Sequence, residues 1–130
     1  RRCEKYGLPF MRPNAFQMNG LKAARIMTAA IDQPWHGTFA RSVFAAQFGR
    51  GKDISDDRVL GNVLETCGVP QEPWLNRAQL PETKDALRAA TDKARSLGIF
   101  GAPSMVVGDE LFWGDDRLED AVLFACGQRR

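Results

Sequence analysis

Residues 98–118 read GIFGAPSMVVGDELFWGDDRL. Two runs rich in β-branched and aromatic side chains, SMVV (104–107) and ELFW (110–113), flank a Gly-Asp pair, the pattern of an antiparallel hairpin with a two-residue turn. Pro103 has no amide to donate and stands where a proline is tolerated, at the first residue of a strand. After Trp113 and Gly114 the acidic pair Asp115 and Asp116 opens DDRLEDAVLFACG, where helical period returns with Leu118, Val122 and Ala125 on one face. One hairpin and one helix do not make a stable domain. The sheet must find further strands upstream or in another chain.

Everything before this stretch is helical in pattern. Arg1 to Tyr6 read as a helix end, closed by Gly7 and Pro9. An irregular stretch, LPFMRPNAFQM, comes next. Asn19 is then placed to cap a helix over residues 20–32, with Leu21, Ala24, Ile26, Met27 and Ile31 across one face. Past Pro34, residues 35–50 carry Phe39, Val43, Phe44 and Phe48 as a wide apolar stripe. Ser55 precedes a capped helix with acids in its first turn and Gly68 after its last. Pro70 and Pro73 signal turns, and a helix from Thr83 to Leu97 sets Ala86, Leu87, Ala90 and Ala94 on its apolar face before Gly98 stops it.

At 130 residues, 44% hydrophobic and 26% charged, the chain has the size and composition of one globular domain. Its formal charge is only +2. The Arg pairs sit at the two ends and no basic stripe runs along the chain, which argues against a nucleic-acid partner. Apolar runs fall far short of the ~18–20 residues of a membrane span, and no signal-peptide pattern opens the chain. A cytoplasmic setting without membrane contact is the expectation. Cys3, Cys67 and Cys126 are far apart, form no CxxC, and have only His36 to help them hold a metal, so structural thiols are expected and no metal site. His36 has no nucleophile or carboxylate partner that would make it a catalytic base.

The terminal stretch resembles the C-terminal signature, approximately GxFGxPTxxxGxxxxWGxDRL, of the DsbA-like group that holds kappa-class glutathione transferases and 2-hydroxychromene-2-carboxylate isomerases. Phe100, Gly101, Ala102 and Pro103 match its FGxP core, and Trp113 to Leu118 match WGxDRL, with Ser104 in place of the usual Thr. Weaker likeness in YGLPF, Phe16, LKAAR, FGRGKDIS and DALRAATDKARSLGIFG extends the resemblance over essentially the whole chain. It implies an α/β, thioredoxin-like fold of DsbA type with a large helical insertion. Residues 1–7 would end a thioredoxin-domain helix, 8–97 form the helical insertion, and 98–130 supply the C-terminal ββα part.

The resemblance also implies a glutathione site. Its loop proline is cis, here the Ala102-Pro103 bond, and the backbone of Ala102 would pair with the cysteinyl part of glutathione by strand addition. Trp113, Gly114, Asp115 and Asp116 would form the γ-glutamyl end, the acids capping the helix and receiving the ammonium while helix amides hold the carboxylate. Read without the resemblance, the acids are an ordinary helix start, Trp113 can bury its ring in the sheet, and Arg117 can be a surface partner of Glu119 or Asp120. Phe16 matches an aromatic position bordering the substrate, though a core role is open to it. Asn19 reads first as a helix cap.

The implied activity is glutathione-dependent isomerisation of the 2-hydroxychromene-2-carboxylate type, on a small aromatic substrate in aromatic-compound catabolism. Family members begin with a βαβ unit whose early loop, roughly SPYSYLA, carries the catalytic serine, and nothing here matches it. No catalytic residue is therefore expected within this chain, and a homodimer or a complementing N-terminal segment is expected to complete the sheet. A DsbA-type thiol-disulfide oxidoreductase and an inactive fragment or assembly module are the alternatives.

Overall fold

A computed structural model describes residues 2–11 and 19–127. Its elements are α1 (Arg2–Lys5), α2 (Leu21–Ala29), α3 (His36–Phe44), a π-turn (Ala45–Gly49), α4 (Asp57–Thr66), α5 (Trp74–Ala78), α6 (Pro81–Ser96), β1 (Ser104–Val107), β2 (Glu110–Trp113), a 3-10 turn (Asp115–Arg117) and α7 (Leu118–Ala125). Two compact units divide inside α6, Arg1–Leu87 and Arg88–Arg130, while the change from helix to strand comes after Gly98.

The first unit is built on one apolar cluster whose fully buried side chains include Phe39, Ile26, Leu60 and Leu64. Helix α2 turns Ala23, Ile26 and Ala30 inward, at helical spacing, and leaves Leu21 and Ile31 exposed. The face expected from the large residues is thus rotated, because two small alanines let neighbouring helices approach there. Asn19 does accept from the Leu21 amide at 2.9 Å, but Gly20 holds the cap position and the helix ends at Ala29, short of Asp32.

In α3, Phe39 and Val43 are buried, whereas Phe44 is 63% exposed. Phe44 directly follows Val43, so it points about 100° round the helix from that residue and off the core face, before the helix widens into the π-turn at Ala45. Ala46 and Gln47 then face inward and Phe48 is half-buried.

The cap of α4 is Asp56, which accepts from the Arg58 amide at 2.8 Å. Ser55, the expected cap, instead donates its amide and hydroxyl to Asp53, at 2.9 and 2.6 Å. The Ser55 hydroxyl bond, with the amide bond second, holds the Asp53 carboxyl below its ordinary value. At the other end Gly68, at φ +76°, allows Val69 to bond back to Leu64 at 2.9 Å, burying both side chains.

The stretch read as turns after Pro70 contains the five-residue α5. It buries Trp74 and Ala78, one turn apart. Trp74 meets Trp35 edge-on at 4.9 Å, and Trp35 in turn meets Phe39 at 6.0 Å, so three aromatic rings join α5 to α3. Pro81, not Thr83, starts α6, the first helical position where a missing amide costs nothing.

Along α6 only Thr83 is buried. Ala86 and Ala90 are exposed and Leu87 and Ala94 half-buried, so the expected apolar face is largely uncovered. In the second unit β1 and β2 pair antiparallel, Ser104 with Trp113 through Val107 with Glu110. The two-residue loop begins at Gly108 with φ +59°, the sign required at the first loop position of a type II′ turn. Helix α7 packs on both strands and buries Ala121 rather than Leu118 and Val122, which are exposed. Phe112, 2% exposed, meets Phe124 at 5.7 Å. Among the described residues this is the only sheet, and no helix is long and apolar enough to cross a membrane.

Two stability measurements check these assignments by chemical denaturation. Phe39→Ala lowers unfolding free energy by about 3–5 kcal/mol, while Phe44→Ala changes it by no more than about 0.5 kcal/mol; equal losses would place Phe44 in the core. Asp56→Ala costs about 1 kcal/mol and Ser55→Ala less, and the reverse order would return the cap to Ser55.

Candidate functional site

The hairpin ladder continues one step past its strands. The Gly114 amide donates to the Pro103 carbonyl at 2.9 Å, so residues 101–103 lie beside residues 113–116. The Ala102-Pro103 bond is cis. Ala102 is exposed, and neither its amide nor its carbonyl has a hydrogen-bond partner among the described residues. Ser104, from the first position of β1, donates its hydroxyl to the Gly101 carbonyl and ties the loop to the strand.

Trp113 lies over this loop. A Cβ on Gly101 would stand 2.5 Å from the indole Nε1, closer than a side chain permits, and 3.3 Å from two further ring atoms. Phe100 packs on the same indole with ring centres 5.2 Å apart. The ring is nevertheless 53% exposed, so it forms a wall beside Ala102 and is not sunk into the sheet. Phe100, Gly101 and Ser104 were not among the expected site residues. The signal was present in FGAPS, but the contact of Gly101 with Trp113 depends on a ring from the other strand.

Gly114 carries the turn into the acidic segment at φ +102° and ψ 149°. The backbone angle requires glycine here, and the Asp116 carboxylate folds back against it, with Oδ1 2.6 Å from where a Cβ would stand. The chain then makes the 3-10 turn, held by the Arg117 amide on the Gly114 carbonyl at 3.0 Å. Neither this turn nor α7 has a side-chain cap, because Gly114 and Arg117 occupy the cap positions. The expected capping by Asp115 and Asp116 is therefore corrected: both acids lie inside the 3-10 turn. Asp116 is exposed, and its carboxylate and amide have no partner among the described residues.

Arg117 does not neutralise Asp116. Its Nε sits 2.9 Å from Asp120 Oδ2 and its guanidinium lies over the Phe112 ring at 5.7 Å. Of the two acids left open to it by the sequence, the partner is Asp120. Ala102, Pro103, Trp113, Gly114 and Asp116 thus come together on one edge of the second unit, with Asp115 adjoining. Phe16 lies outside the described residues. The three cysteines are free, and among the described residues no three His, Cys, Asp or Glu gather as metal ligands.

Chemically, this edge offers an unpaired backbone donor and acceptor at Ala102, an aromatic wall, and an uncompensated carboxylate beside a free amide. Comparison with known proteins gives a consistent picture. The family profile described as the DsbA-like thioredoxin domain matches residues 1–122. A 2-hydroxychromene-2-carboxylate isomerase of Sphingobium xenophagum is 29% identical over 119 residues, 92% of this chain and 60% of that protein. One of the same name from Pseudomonas putida is 25% identical over 131 residues, 98% of this chain and 64% of that protein. The chain therefore spans about three fifths of the length of these curated relatives.

Among solved structures, a 2-hydroxychromene-2-carboxylate isomerase superposes with a TM-score of 0.77 at 24% identity, covering 95% of this chain and 62% of the other. A structure from Nitrosomonas europaea named for a protein disulfide isomerase gives 0.75 at 17% identity, covering 98% and 70%. These likenesses show the fold: DsbA-like thioredoxin, here mostly helical with a small antiparallel sheet.

The contact between Gly101 and Trp113 is testable by a double-mutant cycle. Gly101→Ala costs about 1–3 kcal/mol of stability by overpacking, and adding Trp113→Leu recovers most of it. A Gly101→Ala variant as stable as the parent would remove the ring from the loop.

Proposed function

The chain belongs to the DsbA-like thioredoxin-domain family, and on that basis we propose that it serves a glutathione-dependent isomerase of the 2-hydroxychromene-2-carboxylate type acting on a small aromatic substrate. The observation that carries this reading is the uncompensated carboxylate of Asp116 against Gly114, whose amide bonds the Pro103 carbonyl next to the unpaired backbone of Ala102. Glutathione ends in a γ-glutamyl group bearing both an ammonium and a carboxylate, and its cysteinyl residue offers one amide and one carbonyl.

The residues present fit that ligand. Ala102 can donate to and accept from the cysteinyl backbone, as a sheet edge takes an added strand. A backbone contact needs no particular side chain, which is why an alanine serves there. Asp116 receives the ammonium in a charge-assisted bond, and its free amide, near the positive end of α7, faces the carboxylate. Trp113 shields one side from water, and Phe16 is proposed to border the aromatic substrate. When bound, glutathione supplies the thiol nucleophile. The part of this chain is to orient it, converting a bimolecular encounter into a positioned one. No side chain of residues 98–118 is assigned the sulfur, which is given to a serine of a complementing N-terminal segment, and that segment or a second copy is proposed to extend the sheet.

Thiol-disulfide exchange on the same fold is the competing reading, and the likeness to a protein named for disulfide isomerase supports it. Asp116 favours the first reading, since a dithiol exchange has no ammonium to receive. Calorimetric titration with glutathione separates them. Asp116→Asn weakens binding by about tenfold, the worth of a charge-assisted hydrogen bond, while an analogue lacking the γ-glutamyl ammonium binds parent and variant alike. Unchanged affinity for glutathione would remove Asp116 from the site.

A further inference from the structure

The first unit contains a cavity of about 270 Å³ between α3, the π-turn and α4. Its inner surface includes Ala46 and Val63, both buried, and its polar lining includes Ser42, Arg50, Lys52 and Asn62. The π-turn, the one place where the described helices widen, supplies Ala46 to the lining. The loop after it is pinned by the Lys52 amide on the Ala46 carbonyl at 2.8 Å, which holds both cationic residues at the same opening.

Neither Arg50 nor Lys52 has an ion-pair or hydrogen-bonded side-chain partner among the described residues. The nearby acid in sequence, Asp53, is occupied by Ser55. Ser42 accepts from the Cys67 thiol at 3.5 Å, which leaves its own hydroxyl proton to donate, and the Asn62 side chain makes no hydrogen bond among the described residues. Two exposed cations and the neutral donors Ser42 and Asn62, in one lining with the buried aliphatic groups of Ala46 and Val63, match a ligand that is anionic at one end and apolar at the other. Size narrows the class further. A cavity of about 150 Å³ accommodates a benzene ring, so this one has room for a ring and a carboxylate.

We propose that this cavity is a binding site for single-ring aromatic carboxylates. The carboxylate lies against Arg50 and Lys52, with Ser42 and Asn62 as neutral donors, and the ring rests on Ala46 and Val63. The site is independent of the glutathione reading, because every described residue lining it belongs to the first unit.

Benzoate is the probe. Titrated into the chain and followed by amide NMR shifts, it saturates with the largest changes at residues 42–66. The double variant Arg50→Gln/Lys52→Gln weakens it at least about tenfold, as loss of charge-assisted bonds requires, and Ala45→Leu, which narrows the cavity without touching charge, weakens it too. Benzamide, the neutral isostere, binds at least about tenfold more weakly than benzoate. Both cationic residues are exposed, so the double variant keeps the parent's thermal midpoint and reports on binding alone. Benzoate affinity unchanged in either variant, shifts centred outside the cavity, or inorganic phosphate binding as tightly as benzoate would each overturn the assignment.

Discussion

The register of the β1–β2 hairpin is the constraint on which the second unit depends. Pairing Val107 with Glu110 across a two-residue loop fixes every later pair of the ladder: Ser104 must oppose Trp113, and the next bond falls between Pro103 and Gly114. Side chains alternate along a strand, so a slip by one residue would turn Phe112 out of the core and Trp113 into it. It would also separate Ala102 from Asp116. The turn residues Gly108 and Asp109 therefore fix the site at the opposite end of the hairpin, although neither is part of it.

In the first unit the corresponding constraint is packing. Phe39, Ile26, Leu60 and Leu64 are fully buried, and the short helix α5 packs on α2, with the rings of Trp74 and Trp35 in edge contact beside it. Here a helix of five residues has too little backbone bonding to persist alone. Tertiary contact, not propensity, makes it a helix. The π-turn after α3 continues the buried face, with Ala46 three residues past Val43, and Ala46 also lines the cavity beside it.

Legibility in the sequence divides along the same line between local and tertiary causes. The hairpin, its turn, and the glycines closing helices are specified by a few adjacent residues, and they fall where the sequence placed them. Helix faces were harder, because large residues draw attention while Ala23 and Ala30 do the packing in α2. Cap assignment failed between Ser55 and Asp56, two residues equally able to cap, since only the competing pull of Asp53 on Ser55 decides. At the candidate site the residue identities were readable from the FGxP and WGxDRL signatures. Their geometry was not, because nothing in DDRL announces a 3-10 turn that carries both acids past the cap position.

The displaced cap alters the chemistry assigned to the site. An aspartate that caps a helix has its oxygens committed to backbone amides, and a ligand ammonium would have to compete for them. Placed one step further along, Asp116 keeps its full acceptor capacity, and Arg117 is held away by Asp120 and Phe112. Whole-chain charge conceals such arrangements. A formal net charge of +2 describes a nearly neutral surface, yet among the described residues the fold leaves an unneutralised carboxylate at Asp116 and a pair of unneutralised cations at Arg50 and Lys52. Selective recognition depends on where opposite charges fail to meet, and in this chain two such places lie beside apolar surface that gives each a different ligand shape.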